Sequence, residues 1–150
     1  MSAVFVKYLD EDSVIVLQGA SKVEVLNELI DAASVKSKVQ REIVANLTWK
    51  REKMMTTAVG GGLALPHIRL EDIPYPVIVV GLCSTPIEDY EAQDGDPVRV
   101  IVYIAAPEGN QDEYLKLLGG VSAKFRNPDV LESLINNIDD KAAAYELMIS

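Results

Sequence analysis

Two segments constrain the fold more than any others. Val77-Ile78-Val79-Val80-Gly81-Leu82-Cys83 and Val98-Arg99-Val100-Ile101-Val102-Tyr103-Ile104-Ala105 are nearly unbroken runs of apolar and β-branched residues. A strand with one wet face alternates polar and apolar side chains, so runs of this kind need apolar cover on both faces of their sheet. Asp94-Gly95-Asp96-Pro97 supplies a turn just ahead of the second run.

The cover comes from helices on either side in sequence. Ser13-Val14-Ile15-Val16-Leu17 reads as a short strand, followed by a turn at Gln18-Gly19-Ala20. Ser21 and Glu24 have the spacing of a capping box, and Val23, Leu26, Ile30 and Ala33 keep helical spacing behind it. Ser37 and Gln40 repeat the capping signal ahead of a helix faced by Val39, Ile43 and Leu47, which ends near Arg51-Glu52. In the C-terminal third, Tyr114, Leu117, Leu118, Val121 and Phe125 share a helical face. Asn127 and Pro128 open a helix with Val130, Leu131, Leu134 and Ile135 on its core side, and a last helix runs from about Lys141 through Met148. The expected architecture is α/β, a mixed sheet sandwiched between helices, in a single domain over residues 1–150. The element order is not a βαβ alternation, which argues against a dinucleotide-binding fold.

Composition narrows the function. A net charge of −9 argues against nucleic acid or an anionic membrane as the main partner, whereas a basic protein partner would fit. No apolar run approaches the roughly 20 residues of a membrane span. The start, Met1-Ser2-Ala3-Val4-Phe5-Val6-Lys7, lacks the basic stretch and cleavage site of a signal peptide, and the lone Cys83 has no disulfide partner in the chain. A cytoplasmic location is the expectation. Cys83 reads as core.

One segment carries chemistry: Thr57-Ala58-Val59-Gly60-Gly61-Gly62-Leu63-Ala64-Leu65-Pro66-His67, which ends on the only histidine. Consecutive glycines expose backbone N–H groups that can cradle an anion. Pro66 pushes Leu65 toward an extended conformation, so His67 lies at a strand end or loop start. A neutral imidazole nitrogen is a competent nucleophile toward phosphorus, and the glycine amides with Arg51 or Arg69 offer positive electrostatics. A hydrolase base needs a nucleophile for which no Gly-x-Ser-x-Gly elbow is present, and one histidine with one cysteine makes no zinc ligand set. An inert, hydrogen-bonded loop histidine is the plain alternative, and the three glycines can be a simple turn between strands.

Arg51-Glu52 followed by Thr57 through His67 closely resembles the signature of enzyme IIA of the phosphoenolpyruvate-dependent sugar phosphotransferase system, in its fructose/mannitol class, which includes the nitrogen-regulatory IIA proteins. Ser21 to Ile30, Asp94-Gly95-Asp96-Pro97-Val98 and Asp112 to Leu118 extend the resemblance over nearly the whole chain. It implies the same helix-sheet-helix sandwich. It also implies that His67 accepts a phosphoryl group from HPr or a related carrier. His67 would then pass the group to a IIB cysteine for sugar uptake, or hold it as a signal that controls binding to a regulatory target protein. No cofactor or metal is implied. Arg51 matches the arginine beside the phosphorylated histidine. Thr57, Gly60, Gly61 and Gly62 stand as phosphate-binding candidates, Thr57 having a backbone-bonded strand-edge reading beside it. Arg69 matches no family role and reads as solvated. Tyr114 occupies a position where many members carry a second histidine. A phenol there can donate to phosphate but carries no positive charge, and a core aromatic is its other reading. Ala58 stands where the family usually has glycine.

Overall fold

The computed structural model describes residues 4–150; Met1, Ser2 and Ala3, part of the start read above for a signal peptide, lie outside them. After 3₁₀ turns at Val4–Tyr8 and Glu11–Ser13 come β1 (Val14–Leu17), α1 (Lys22–Ser37) and α2 (Arg41–Met54). Three short strands follow, β2 (Ala58–Gly60), β3 (Leu63–Ala64) and β4 (His67–Leu70), then the long pair β5 (Val77–Ile87) and β6 (Val98–Pro107). Three helices close the chain: α3 (Gln111–Phe125), α4 (Pro128–Asn136) and α5 (Lys141–Ile149).

The two apolar runs are β5 and β6, paired antiparallel at the centre of a mixed sheet. β1 pairs parallel to β5, while β3 and β4 both pair parallel to β6, and β2 extends the sheet beyond β3. Alternate residues of the central strands enter separate cores. Val79, Ile101 and Tyr103 pack with Leu26, Leu29 and Val44 of α1 and α2. Ile78, Val80 and Val102 pack with Val121, Phe125 and Leu134 of α3 and α4. Burial on both faces is what their unbroken apolar composition required. No helix among the described residues is long and apolar enough to cross a membrane.

Helix starts follow the sequence in part. Ser21 caps α1 by accepting the Glu24 N–H at 3.2 Å, and Asn127 caps α4 by accepting the Asp129 N–H at 2.9 Å, with Pro128 in the first position. The expected cap at Ser37 does not form. Ser37 ends α1, its hydroxyl accepts the Val39 N–H at 3.2 Å, and Lys38 turns left-handed with φ 61°. α2 instead begins after Gln40, whose side chain makes no cap bond. Two residues expected on core faces are exposed, Val23 at 54% and Ile43 at 46%. Val25 and Leu29 take the inward positions of α1, and Val44 and Thr48 those of α2. Cys83 is buried in β5, and burial pushes its thiol up to about 12, so it is unreactive.

Candidate active site

His67 is the first residue of β4, the strand end that its position after proline allowed beside a loop start. β3 and β4 form one broken edge along β6: Leu63 pairs with Val100 and Ala64 with Ile101, then His67 pairs with Ile104 and Leu70 with Pro107. Leu65 and Pro66 are the break. The Leu65 N–H donates to the Thr57 carbonyl at 2.9 Å, and the Pro66 carbonyl accepts the Ile104 N–H at 3.0 Å. The Leu65 carbonyl lies 2.8 Å from His67 Nδ1. A carbonyl only accepts, so Nδ1 carries the hydrogen and Nε2 holds the free lone pair of the neutral ring.

Burial lowers the His67 pKa below its ordinary 6.5, and the Arg51 charge lowers it too; the Leu65 hydrogen bond and the Glu52 carboxylate act in the opposite direction. The ring is therefore neutral at neutral pH, with a nucleophilic nitrogen available.

Strand alternation places the neighbours. Ile68 and Leu70 are buried in the α1–α2 core, so His67 and Arg69 face away from it, half-buried, toward α3. Tyr114, in the first turns of α3, meets both: its ring centroid is 6.3 Å from that of His67, tilted by 56°, and 4.0 Å from Arg69 Cζ. Burial raises the Tyr114 pKa, with Arg69 and Arg51 opposing, so the phenol keeps its proton. Arg51 reaches the site from the last turn of α2, with Nη1 donating to the Met55 carbonyl at 3.0 Å. Leu47, Arg51, Met54, His67, Arg69 and Tyr114 line one open depression of about 350 Å³. Thus His67, Arg51 and Tyr114 come together as the sequence suggested.

Arg69, read as solvated, joins them. The signal was the spacing His67-x-Arg69, which puts both side chains on one face once the segment is a strand.

The other candidates do not join. Gly60, Gly61 and Gly62 form the tight turn between β2 and β3, all with positive φ (95°, 65° and 87°). The turn lies beyond the Leu63–Val100 pair, and from Val100 to the His67 partner Ile104 is about 13 Å at the usual strand rise. The Gly61 N–H is given to Asp94 Oδ2 at 2.8 Å, and that bond, first among several, holds the Asp94 carboxyl below its ordinary range. A turn that binds a carboxylate of its own chain, remote from the imidazole, is no cradle for a phosphoryl group on His67. Its glycines answer a backbone need: a Cβ on Gly60 would stand 2.9 Å from Asp94 Oδ2.

Thr57 is also withdrawn from the site. It is buried, its hydroxyl donates to Glu52 Oε2 at 2.8 Å and meets the Tyr90 hydroxyl, and its N–H donates to Glu52 Oε1 at 2.9 Å. Its one donor hydrogen is spent. Lys22 Nζ completes this network 3.0 Å from Glu52 Oε1 and 4.8 Å from the centre of the Tyr90 ring. The network ties the end of α2, which bears Arg51, to the start of β2. Sequence reasoning used Glu52 only as part of a signature; its buried carboxylate has a structural explanation that no local pattern displays.

Comparison with known proteins shows the family and the fold. The profile of the family described as "Phosphoenolpyruvate-dependent sugar phosphotransferase system, EIIA 2" matches residues 7–150. A nitrogen regulatory protein of Bradyrhizobium diazoefficiens is 33% identical over 122 residues, 81% of this chain and 79% of that protein. The nitrogen regulatory protein IIA-Ntr of Neisseria meningitidis shares the fold with a TM-score of 0.86 at 24% identity, covering 97% of this chain and 99% of its own. Enzyme IIA mannitol of Escherichia coli, determined in complex with phosphorylated enzyme IIB mannitol, does so with a TM-score of 0.76 at 19% identity, covering 93% and 96%. A profile running from residue 7 to the last residue, on this sheet and with these helices, establishes that the chain belongs to the enzyme IIA family of the phosphoenolpyruvate-dependent sugar phosphotransferase system, a family of phosphotransfer components.

Proposed function

We propose that the protein is a phosphocarrier in which His67 Nε2 is the phosphoryl acceptor. The observation that carries this reading is the 2.8 Å contact from Nδ1 to the Leu65 carbonyl, which leaves Nε2 unprotonated in a depression shared with Arg51. In the step proposed, the Nε2 lone pair forms a bond to phosphorus while the N–P bond of a phosphohistidine on an HPr-type carrier breaks. The carrier nitrogen keeps that electron pair, and the Nδ1 hydrogen stays where it is. Onward transfer forms an S–P bond to the thiolate of a IIB cysteine and breaks the Nε2–P bond. Arg51 supports both steps, because a guanidinium pairs with phosphate oxygens and never deprotonates. The rim suits a protein partner: Met54, 77% exposed, lines the same depression, and thioethers adapt to apolar partners.

The test is to incubate the protein with enzyme I, HPr and labelled phosphoenolpyruvate. Acid-labile label is expected on the wild-type chain and none on His67→Ala; label persisting on that variant rejects the assignment.

A second reading has its own support. The relative at 33% identity is a nitrogen regulatory protein, so the phosphoryl group on His67 would serve as a signal gating contact with a regulatory target. Transfer of label to a IIB domain supports transport, and a protein captured only by one phosphorylation state supports regulation.

A further inference from the structure

We propose that Arg69 is a second cation of the phosphoryl site, a role that rests on His67 being the acceptor. Arg69 leaves β4 on the same face as His67, two residues along, with their Cβ atoms about 7 Å apart by strand geometry. Its guanidinium is held in place on three sides. Nε and Nη2 donate to the Pro107 carbonyl at 3.0 and 2.9 Å, Nη1 donates to Gln111 Oε1 at 3.1 Å, and the plane lies against the Tyr114 ring at 4.0 Å.

These bonds use three of the five N–H groups that a guanidinium carries, leaving one on each Nη. The same ring that carries the guanidinium packs at 6.3 Å against the imidazole. Tyr114 therefore acts as a spacer that fixes the cation relative to the nucleophile. Because the guanidinium is ordered before any phosphate arrives, little reorganisation is needed when charge develops there.

Charge bookkeeping in the depression favours the same role. Its acidic member, Glu108, would repel a phosphoryl group, and its other cations, Lys50 and Arg51, both come from α2. Arg51 arrives from the end of α2 and Arg69 from β4, so the phosphoryl oxygens are met from two different elements. Arg69 pairs with those oxygens in phospho-His67 and in the transfer transition state, and the Tyr114 hydroxyl donates to the same group. A purely structural role, latching β4 to the start of α3, makes different predictions.

The experiment uses the full chain with a phosphorylated HPr-type carrier, and measures transfer at saturating carrier, KM, and the ³¹P resonance of phospho-His67. Arg69→Gln is expected to slow transfer at saturation roughly tenfold or more, to change KM by less than about threefold and to move the ³¹P resonance. Arg69→Lys keeps the charge and loses the fork on Pro107, and is expected to recover part of the rate. Wild-type transfer with an unmoved resonance in Arg69→Gln overturns the proposal. If Arg69→Gln also lowers the melting temperature, the lysine variant decides: a rate recovered above the glutamine level upholds the role of charge, and a rate equally slow overturns it. A wild-type chain that takes no label overturns the parent reading and this one together, whereas a labelled wild type with an unaffected Arg69→Gln overturns this one alone.

Discussion

The imidazole of His67 is poised by two opposing influences. Burial and Arg51 push its proton affinity down, while the Leu65 carbonyl and Glu52 hold it up, and the net direction is down from 6.5. If the neutral ring is the acceptor, transfer falls on an acid limb centred below 6.5; an acid limb centred above 6.5 contradicts this. Stability carries the same signature. The unfolded ring takes its proton near 6.5 and the folded ring at lower pH, so between the two the unfolded state binds more protons. His67 therefore contributes a loss of stability as pH falls through 6.5, which levels off once the folded ring is also protonated. Urea unfolding at a series of pH values should show this component in the wild type and not in His67→Gln. The Lys22–Glu52–Thr57–Tyr90 network is a reminder that a conspicuous residue in a signature can act on the scaffold and leave the phosphoryl group to others.

At the scale of elements, β5 passes close under β1 and α1. Gly81 pairs with Ile15, and a Cβ there would stand 2.5 Å from Leu17 Cδ1 and 3.2 Å from Leu29 Cδ2. Gly81→Ala is expected to destabilise the fold by about 1–3 kcal/mol through overpacking, read as a lower urea midpoint. The long strands and most helices were legible because period and composition are local properties, as with β5, β6 and the Asn127-Pro128 start of α4. What was not legible depended on distant partners. β4 is only four residues long, too short for its alternation to mark a strand by itself, and its strand character comes from pairing with β6. Thr57 looked like a phosphate ligand until Glu52 and Tyr90 claimed its hydroxyl, and the glycines looked like an anion cradle until Asp94 took the Gly61 amide. The Ser37 cap failed because Lys38 adopts a left-handed turn that lets α1 end on its own carbonyls. Of the residues that line the depression, the sequence singled out His67, Arg51 and Tyr114 as candidates, and it read Arg69 as solvated for want of the strand that places it beside them.

Across the whole molecule, two cores share one sheet, and the site lies at the sheet edge where α2 ends and α3 begins. The chain as a whole is acidic, with net charge −9. For a carrier that docked through a basic face, this charge would steer the encounter from a distance. Raising ionic strength from about 0.02 to 0.2 M is expected to lower the second-order transfer rate on the order of tenfold, with the rate at saturation unchanged. A salt-independent second-order rate contradicts steering. The pause in the edge chain at Leu65 and Pro66 has a last implication. By breaking the strand for two residues while the register against β6 stays the same on either side, the main chain turns the Leu65 carbonyl onto Nδ1 and itself dictates which ring nitrogen bears the hydrogen. The tautomer of His67 is thus insulated from drift in the surrounding side chains, and a lineage can exchange the groups that line the depression while the same ring nitrogen keeps its free lone pair.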